Sequence, residues 1–226
     1  MDQAHITRSS FGIIRCESCR GATLPAVAVT VLIVASLMVA AMLGSFPRRG
    51  PSTPGWGAPM LHEGFDKGWE SRWAAETPDT WKILDGKAVS QAPGRSLLIL
   101  RQRLTPPVAI EYTGRILPGS RPCDLSLWWS ELEGLADNPS RVETPNARIW
   151  KIQAGAYENS FCAIFRTPGE QRVAYNPLQL VPERDHRFRV EIANGTMTMA
   201  IDGVEVLRYH DRIPTSSGFM ALYGYF

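Results

Sequence analysis

From residue 60 onward the sequence predicts an all-β domain, a sandwich or barrel of short strands, and ahead of it one transmembrane helix. Three observations carry this. An uncharged apolar run, LPAVAVTVLIVASLMVAAML, fills residues 24–43. A Pro-, Gly- and Ser-rich stretch over residues 44–59 follows it. Beyond that, apolar and polar residues alternate over short segments that end in Asn-Gly or Asp-Gly, and none shows a convincing 3.6-residue period.

At 1.5 Å per residue, a run of about 20 residues matches a hydrocarbon core of ~30 Å, whereas a buried core helix is usually shorter or keeps a polar stripe. Arg8, Arg15 and Arg20 precede the run, and Arg48 and Arg49 follow it. This bias places residues 1–23 in the cytoplasm and the domain outside. A cleaved signal would have an apolar region of only ~7–15 residues, so the expectation is an uncleaved anchor in a single-pass membrane protein. Cys16 and Cys19 form a single CxxC, half of a tetrahedral zinc site, and read as incidental or acylated thiols. Residues 44–59 have the composition of an extended spacer.

The chain has 226 residues, a net charge of +2, 44% hydrophobic and 20% charged residues. This is ordinary globular composition, and so small a charge gives no reason to expect nucleic acid as a partner. Residues 60–226 suffice for one domain with a real core.

The strands follow in order. Trp81 to Ala88 contains an Asp85-Gly86 turn. Leu97 to Leu100 is continuously apolar, as in a strand buried on both faces. Val108, Ile110 and Tyr112 alternate with Glu111 and Thr113; Cys123, Leu125, Leu127 and Trp129 alternate with Asp124, Ser126 and Trp128. Further strands are expected near 148–156, 160–166 and 218–226. His186 to Asp211 reads as a three-stranded meander, its turns at Asn194-Gly195 and Asp202-Gly203, where type I′ geometry needs positive φ.

Asp185 to Ile192, Asn194-Gly195 and Ala200-Ile201-Asp202-Gly203 resemble the late meander of concanavalin A-like domains. That group includes lectins, laminin G-like modules, glucanases and domains resembling 3-keto-disaccharide hydrolases. Phe65-Asp66, Gly68-Trp69, Trp81 to Ile83 and the closing Gly218 to Leu222 are similar to the rest of the pattern. The resemblance implies a two-sheet antiparallel jelly-roll sandwich with carbohydrate contacts on its concave sheet or rim. Its motifs are architectural and say more of fold than of activity. Separately, Arg20-Gly21-Ala22-Thr23-Leu24-Pro25 resembles the processing site of type IV prepilins. The glutamate which that family places fifth after the Gly is Ala26 here, and Pro47, Pro51 and Pro54 interrupt the helix that pilins continue.

Two sets of residues could carry function. Glu131 and Glu133 lie two apart, which on a strand puts both carboxylates on one face; retaining glycosidases need two carboxyls ~5–5.5 Å apart. Glu158 is the third acid of interest. A solvated strand end explains the first two equally simply. The second set is aromatic and polar: Trp128, Lys151, Gln153, Tyr157, Glu158 and Asn159, with Arg166 and Tyr223 as weaker members. Sugar rings present apolar C–H faces that pack on Trp and Tyr while polar groups fix orientation. The competing account is that these rings cover a second core. The expectations are therefore a carbohydrate-binding module at the cell envelope, a glycoside hydrolase-like enzyme, or a structural pseudopilin-like protein. No cofactor is expected, and the scattered His5, His62, His186 and His210 make no metal set. Alternation groups Cys162 with Ile164 and sets Phe161, Ala163 and Phe165 opposite; if the phenylalanines face the core, Cys123 and Cys162 point apart and cannot bond without a bulge.

Overall fold

The computed structural model describes residues 4–10, 56, 59–90, 94–120, 124–144 and 146–225. The run 24–43, the Gly21-Ala22 pair, most of the 44–59 stretch and Cys16, Cys19 and Cys123 lie outside the described residues. Among the described residues no helix is long and apolar enough to cross a membrane.

The strands in chain order are β1 (Ala4–Ser10), β2 (Pro59–Leu61), β3 (Trp73–Ala75), β4 (Trp81–Leu84), β5 (Lys87–Ser90), β6 (Arg95–Leu100), β7 (Val108–Gly114) and β8 (Ser126–Ser130). They continue with β9 (Ile149–Gly155), β10 (Phe161–Arg166), β11 (Gln171–Asn176), β12 (His186–Ala193), β13 (Thr196–Ile201), β14 (Val204–His210) and β15 (Phe219–Tyr225). One sheet has the order β14-β13-β12-β7-β1-β2 and the other β11-β10-β9-β8-β15-β6-β3, with β4-β5 a separate hairpin. All pairings are antiparallel except those of β1, which runs parallel to β2 and β7. The fold is an all-β jelly-roll sandwich.

The His186–Asp211 meander forms as its alternation dictates. Phe188, Val190 and Ile192 of β12 and Met197, Met199 and Ile201 of β13 are buried, and their neighbours are half-buried or exposed. Asn194-Gly195 (φ 51° and 74°) and Asp202-Gly203 (φ 52° and 84°) make the two turns. Those apolar faces, with Val108, Ile110 and Tyr112 of β7, meet Leu98, Leu127, Trp129, Trp150, Ile152, Ile164 and Leu222 of the seven-stranded sheet in one core. At its rim, buried Glu63 accepts from Arg72 Nε (2.8 Å), Trp73 Nε1 (2.7 Å) and Phe65 N (2.6 Å). Burial pushes the Glu63 carboxyl up, but these donors together hold it below the ordinary range.

At three points the structure adds to the sequence reading or differs from it. Cys162, not the phenylalanine face, turns into the core, where its Sγ contacts the Leu178 carbonyl at 3.5 Å. The premise that separated the two thiols therefore does not hold. Ala4–Ser10, expected as part of a cytoplasmic segment apart from the domain, lies as a strand beside β7. A strand edge offers a row of unpaired N–H and C=O groups, and this segment supplies partners for them. Finally, the sequence gives no signal for β11, which closes the edge of the larger sheet.

Gly218, just ahead of the last strand, is required by close approach. A Cβ there would lie 2.6 Å from the Ser130 carbonyl oxygen and 2.7 Å from Trp129 Nε1, both held in the sheet. Gly218 and Leu104 also exchange two backbone hydrogen bonds of 2.8 Å. Gly218→Ala is expected to cost about 1–3 kcal/mol, the usual range for overpacking. A urea midpoint unchanged from wild type would contradict this account.

Candidate functional site

The outer face of the seven-stranded sheet follows from the core face by alternation. With Leu127, Trp129, Trp150, Ile152, Cys162 and Ile164 inward, the outward residues are Ser126, Trp128 and Ser130 on β8, Ile149, Lys151 and Gln153 on β9, and Phe161, Ala163 and Phe165 on β10. On β15 they are Phe219, Ala221 and Tyr223, and on β6 Arg95, Leu97 and Ile99. Register sets Trp128 between Ala221 and Lys151, and Ala163 between Gln153 and Tyr175.

This face has two halves. Over β6, β15 and β8 it is apolar and covered: Leu97, Ile99, Trp128, Phe219, Ala221 and Tyr223 pack with Leu135, Ala136 and Val142 in a second core. Trp128 is only 2% exposed; its ring stacks on Tyr223 at 4.8 Å, and Lys151 Nζ sits 4.5 Å from its centroid. Of the two accounts the sequence allows for Trp128, the second core is the one found: the segment after β8 folds back over it. Lys151 and Gln153, each 8% exposed, lie where the cover ends, and Lys151 is ion-paired to Glu170.

Over β10 and β11 the face is open. Tyr157 is 68% and Tyr175 52% exposed, and Phe161 lies between them, with centroid separations of 5.4 and 5.3 Å. The Arg172 guanidinium carbon sits 4.7 Å from the Tyr175 ring centroid and 5.8 Å from that of Phe161. Tyr157 reaches this row because β9 ends at Gly155 and the chain turns through left-handed conformations at Tyr157, Glu158 and Asn159 (φ 47°, 60° and 60°). Asn159 holds the turn. Its Nδ2 donates to the Leu180 carbonyl and its Oδ1 accepts from Leu180 N, both at 2.7 Å. Its amide is therefore committed inside the protein, while Tyr157 and Glu158 stand at the surface.

Phe161, Arg172 and Tyr175 were missed in the sequence. For Phe161 and Phe165 alternation alone leaves open whether they or Cys162 and Ile164 face the core. Arg172 and Tyr175 are three apart, which strict alternation sets on opposite faces. A bulge between Ile164 and Phe165 of β10 opposes Ala174 to the first and Arg172 to the second, which brings Arg172 to the side of Tyr175.

The acids are placed differently from expectation. β8 ends at Ser130, so Glu131 and Glu133 do not share a strand face. Glu131 accepts from Arg148 Nη1 (3.2 Å) and Ser216 N (2.6 Å), and exposed Glu133 pairs with Arg103. None of the outward strand positions named above is a carboxylate. Arg166, the weaker candidate, lies 3.6 Å from Asp211 and bonds Gln171 Oε1 at 3.1 Å. A separate concavity of about 740 Å³ lies by β3 and β4, walled by Glu70, Asp79, Asp137 and Arg101. Its Trp73 and Trp81 are 3% and 4% exposed, and Arg101 is bonded to the carbonyls of Trp73 and Ala136, so half-buried Trp69 is the one of its three tryptophans with free ring surface.

No protein-family model matches the chain, and no curated protein matches it. Solved structures match in fold. A protein of unknown function with a galectin-like fold from Bacillus subtilis aligns with a TM-score of 0.59 at 9% identity, over 72% of this chain and 87% of that one. The Crh5 transglycosylase in complex with NAG aligns with a TM-score of 0.52 at 11% identity, over 72% and 67%. The Bacillus licheniformis β-glucanase aligns with a TM-score of 0.50 at 8% identity, over 72% and 83%. At such identities the likeness shows the fold alone.

Asp124, just ahead of β8, is 5% exposed and bonded by Ser126 Oγ at 3.2 Å; burial pushes its carboxyl up to about 7. The folded chain thus keeps a proton that the unfolded chain releases near pH 4, and folding stability falls as pH rises from there to about 7. Asp124→Asn abolishes this dependence. Its stability relative to wild type should rise between pH 4.5 and 7.5, with a slope of at most about 1.4 kcal/mol per pH unit. Urea titrations giving a constant difference would refute the assignment.

Proposed function

We propose that this domain binds carbohydrate on the open half of its seven-stranded sheet, and that residues 24–43 hold it at the outer side of a membrane. The exposed row Tyr157–Phe161–Tyr175 carries the binding reading. Exposed rings cost free energy unless they serve a contact, and stacked rings match the apolar faces of successive sugars. Lys151 and Gln153 of β9, with Glu158 beside Tyr157, supply polar groups at the margin. Two proteins of the same fold are a β-glucanase and a transglycosylase solved with NAG, which agrees with a carbohydrate ligand. The anchor rests on the uncharged run and on the arginine bias around it; with that run across a bilayer, residues 4–10 stay on the far side and the β1 pairing to β7 is given up.

Binding is favoured over hydrolysis. A glycosidase needs one carboxyl free to donate a proton and a second ~5–5.5 Å or ~6.5–9.5 Å away. Glu131 is engaged by Arg148 and a backbone amide, Glu133 by Arg103, and the outward strand positions of the sheet lack acids.

The test is a glycan array probed with the full-length chain in detergent. Binding is expected, with Tyr175→Ala and Tyr157→Ala each lowering affinity about tenfold or more, a loss of ~1.4 kcal/mol. Glu131→Gln should leave binding in place. An array without signal, or variants that bind as wild type does, would reject this function; glycan turnover abolished by Glu131→Gln or Glu133→Gln would establish the hydrolase instead.

A further inference from the structure

The open face carries an unneutralised cation. Arg172 is exposed on the edge strand β11, packed against Tyr175 and Phe161. Among the described residues it makes no ion pair and no hydrogen bond, unlike its neighbours. Lys151 is paired to Glu170, Arg166 is shared between Asp211 and Gln171, and Arg148 is held by Glu131 and Asp211. A guanidinium laid on aromatic rings loses part of its motion beforehand while its N–H fork stays free, and that fork matches the two oxygens of a carboxylate or sulfate. The bulge that brings Arg172 over to Tyr175 puts this fork beside the rings on which a sugar would stack.

We propose that the site selects acidic polysaccharides: a sugar stacks on Tyr157, Phe161 and Tyr175 while its carboxylate or sulfate is held by Arg172. This rests on the carbohydrate-binding reading and names its ligand class. A guanidinium in this position would find no comparable partner on a neutral glucan.

Calorimetric titration of the full-length chain in detergent tests this, with polygalacturonate, dextran sulfate and neutral laminarin as probes at 50 and 300 mM NaCl. At least one acidic probe should bind at least tenfold tighter than laminarin, and more weakly at the higher salt. Which acidic probe binds tells carboxylate from sulfate. Arg172→Gln should lose about tenfold on that probe, and clearly more than it loses on laminarin. Arg115→Gln, at the distant Asp185 pair, should change neither. Laminarin binding as tightly as both acidic probes, or Arg172→Gln without effect, would overturn the selectivity while leaving a carbohydrate site. Arg115→Gln weakening acidic binding as much as Arg172→Gln would overturn it as general polyanion attraction. Failure of every probe, or indifference of all binding to Tyr175→Ala, would overturn both the selectivity and the reading beneath it.

Discussion

The structure depends on one constraint: the centre of the seven-stranded sheet is apolar on both faces. Leu98 and Leu100 face the other sheet, while Leu97 and Ile99 face away from it, and all four are at most 1% exposed. A strand of this kind must be covered twice. The six-stranded sheet covers one side. On the other, Leu135, Ala136 and Val142 fold back over Trp128, Phe219 and Tyr223. The cover ends at β9. Everything that could meet a ligand on this face is therefore confined to β9, β10, β11 and the turn at 156–159.

The same constraint explains the fate of the acids. A segment that covers a sheet must be tied to its rim. Arg148 makes that tie, its guanidinium reaching Glu131 and Asp211 as well as the carbonyls of Ile213 and Pro214. Asp211 is 2% exposed, and although burial pushes its carboxyl up, the Ile213 amide and the Arg148 and Arg166 guanidiniums hold it below the ordinary range. Carboxylates fixed in this way are structural. Removing one partner would leave a half-buried charge uncompensated, which costs more than the pair itself contributes.

Much of the fold was legible in the sequence because alternation with period two reports which face is buried. It placed the β12–β14 meander, the β4–β5 hairpin, the doubly buried β6, and the partition of β9 into Trp150, Ile152 and Ala154 against Lys151 and Gln153. Alternation says which side a residue takes, but not what lies over that side. Trp128 was assigned to the correct face and still proved buried, because its cover comes from a loop without period. Cys162 and Phe161 were ambiguous because both faces of β10 are apolar. Arg172 was illegible for a different reason: a bulge adds one residue and inverts the parity beyond it, and nothing in Gln171-Arg172-Val173 marks the insertion.

The turn at 156–159 brings these strands of reasoning together. Three successive non-glycine residues adopt positive φ, each at a cost of roughly 1–2 kcal/mol. Asparagine tolerates that region best, and Asn159 offsets part of the cost through its paired hydrogen bonds to Leu180. Tyr157 and Glu158 have no such excuse in their residue type. An unstrained exit from β9 would let Tyr157 continue the strand or turn into solvent alone. The observed path instead lays its ring on Phe161 and extends the row that Tyr175 begins on the neighbouring strand. Strain retained where it exposes an aromatic ring, when burying that ring would lower the free energy, is spent on position rather than on stability. That places the reason for this turn's geometry in the row of rings it completes.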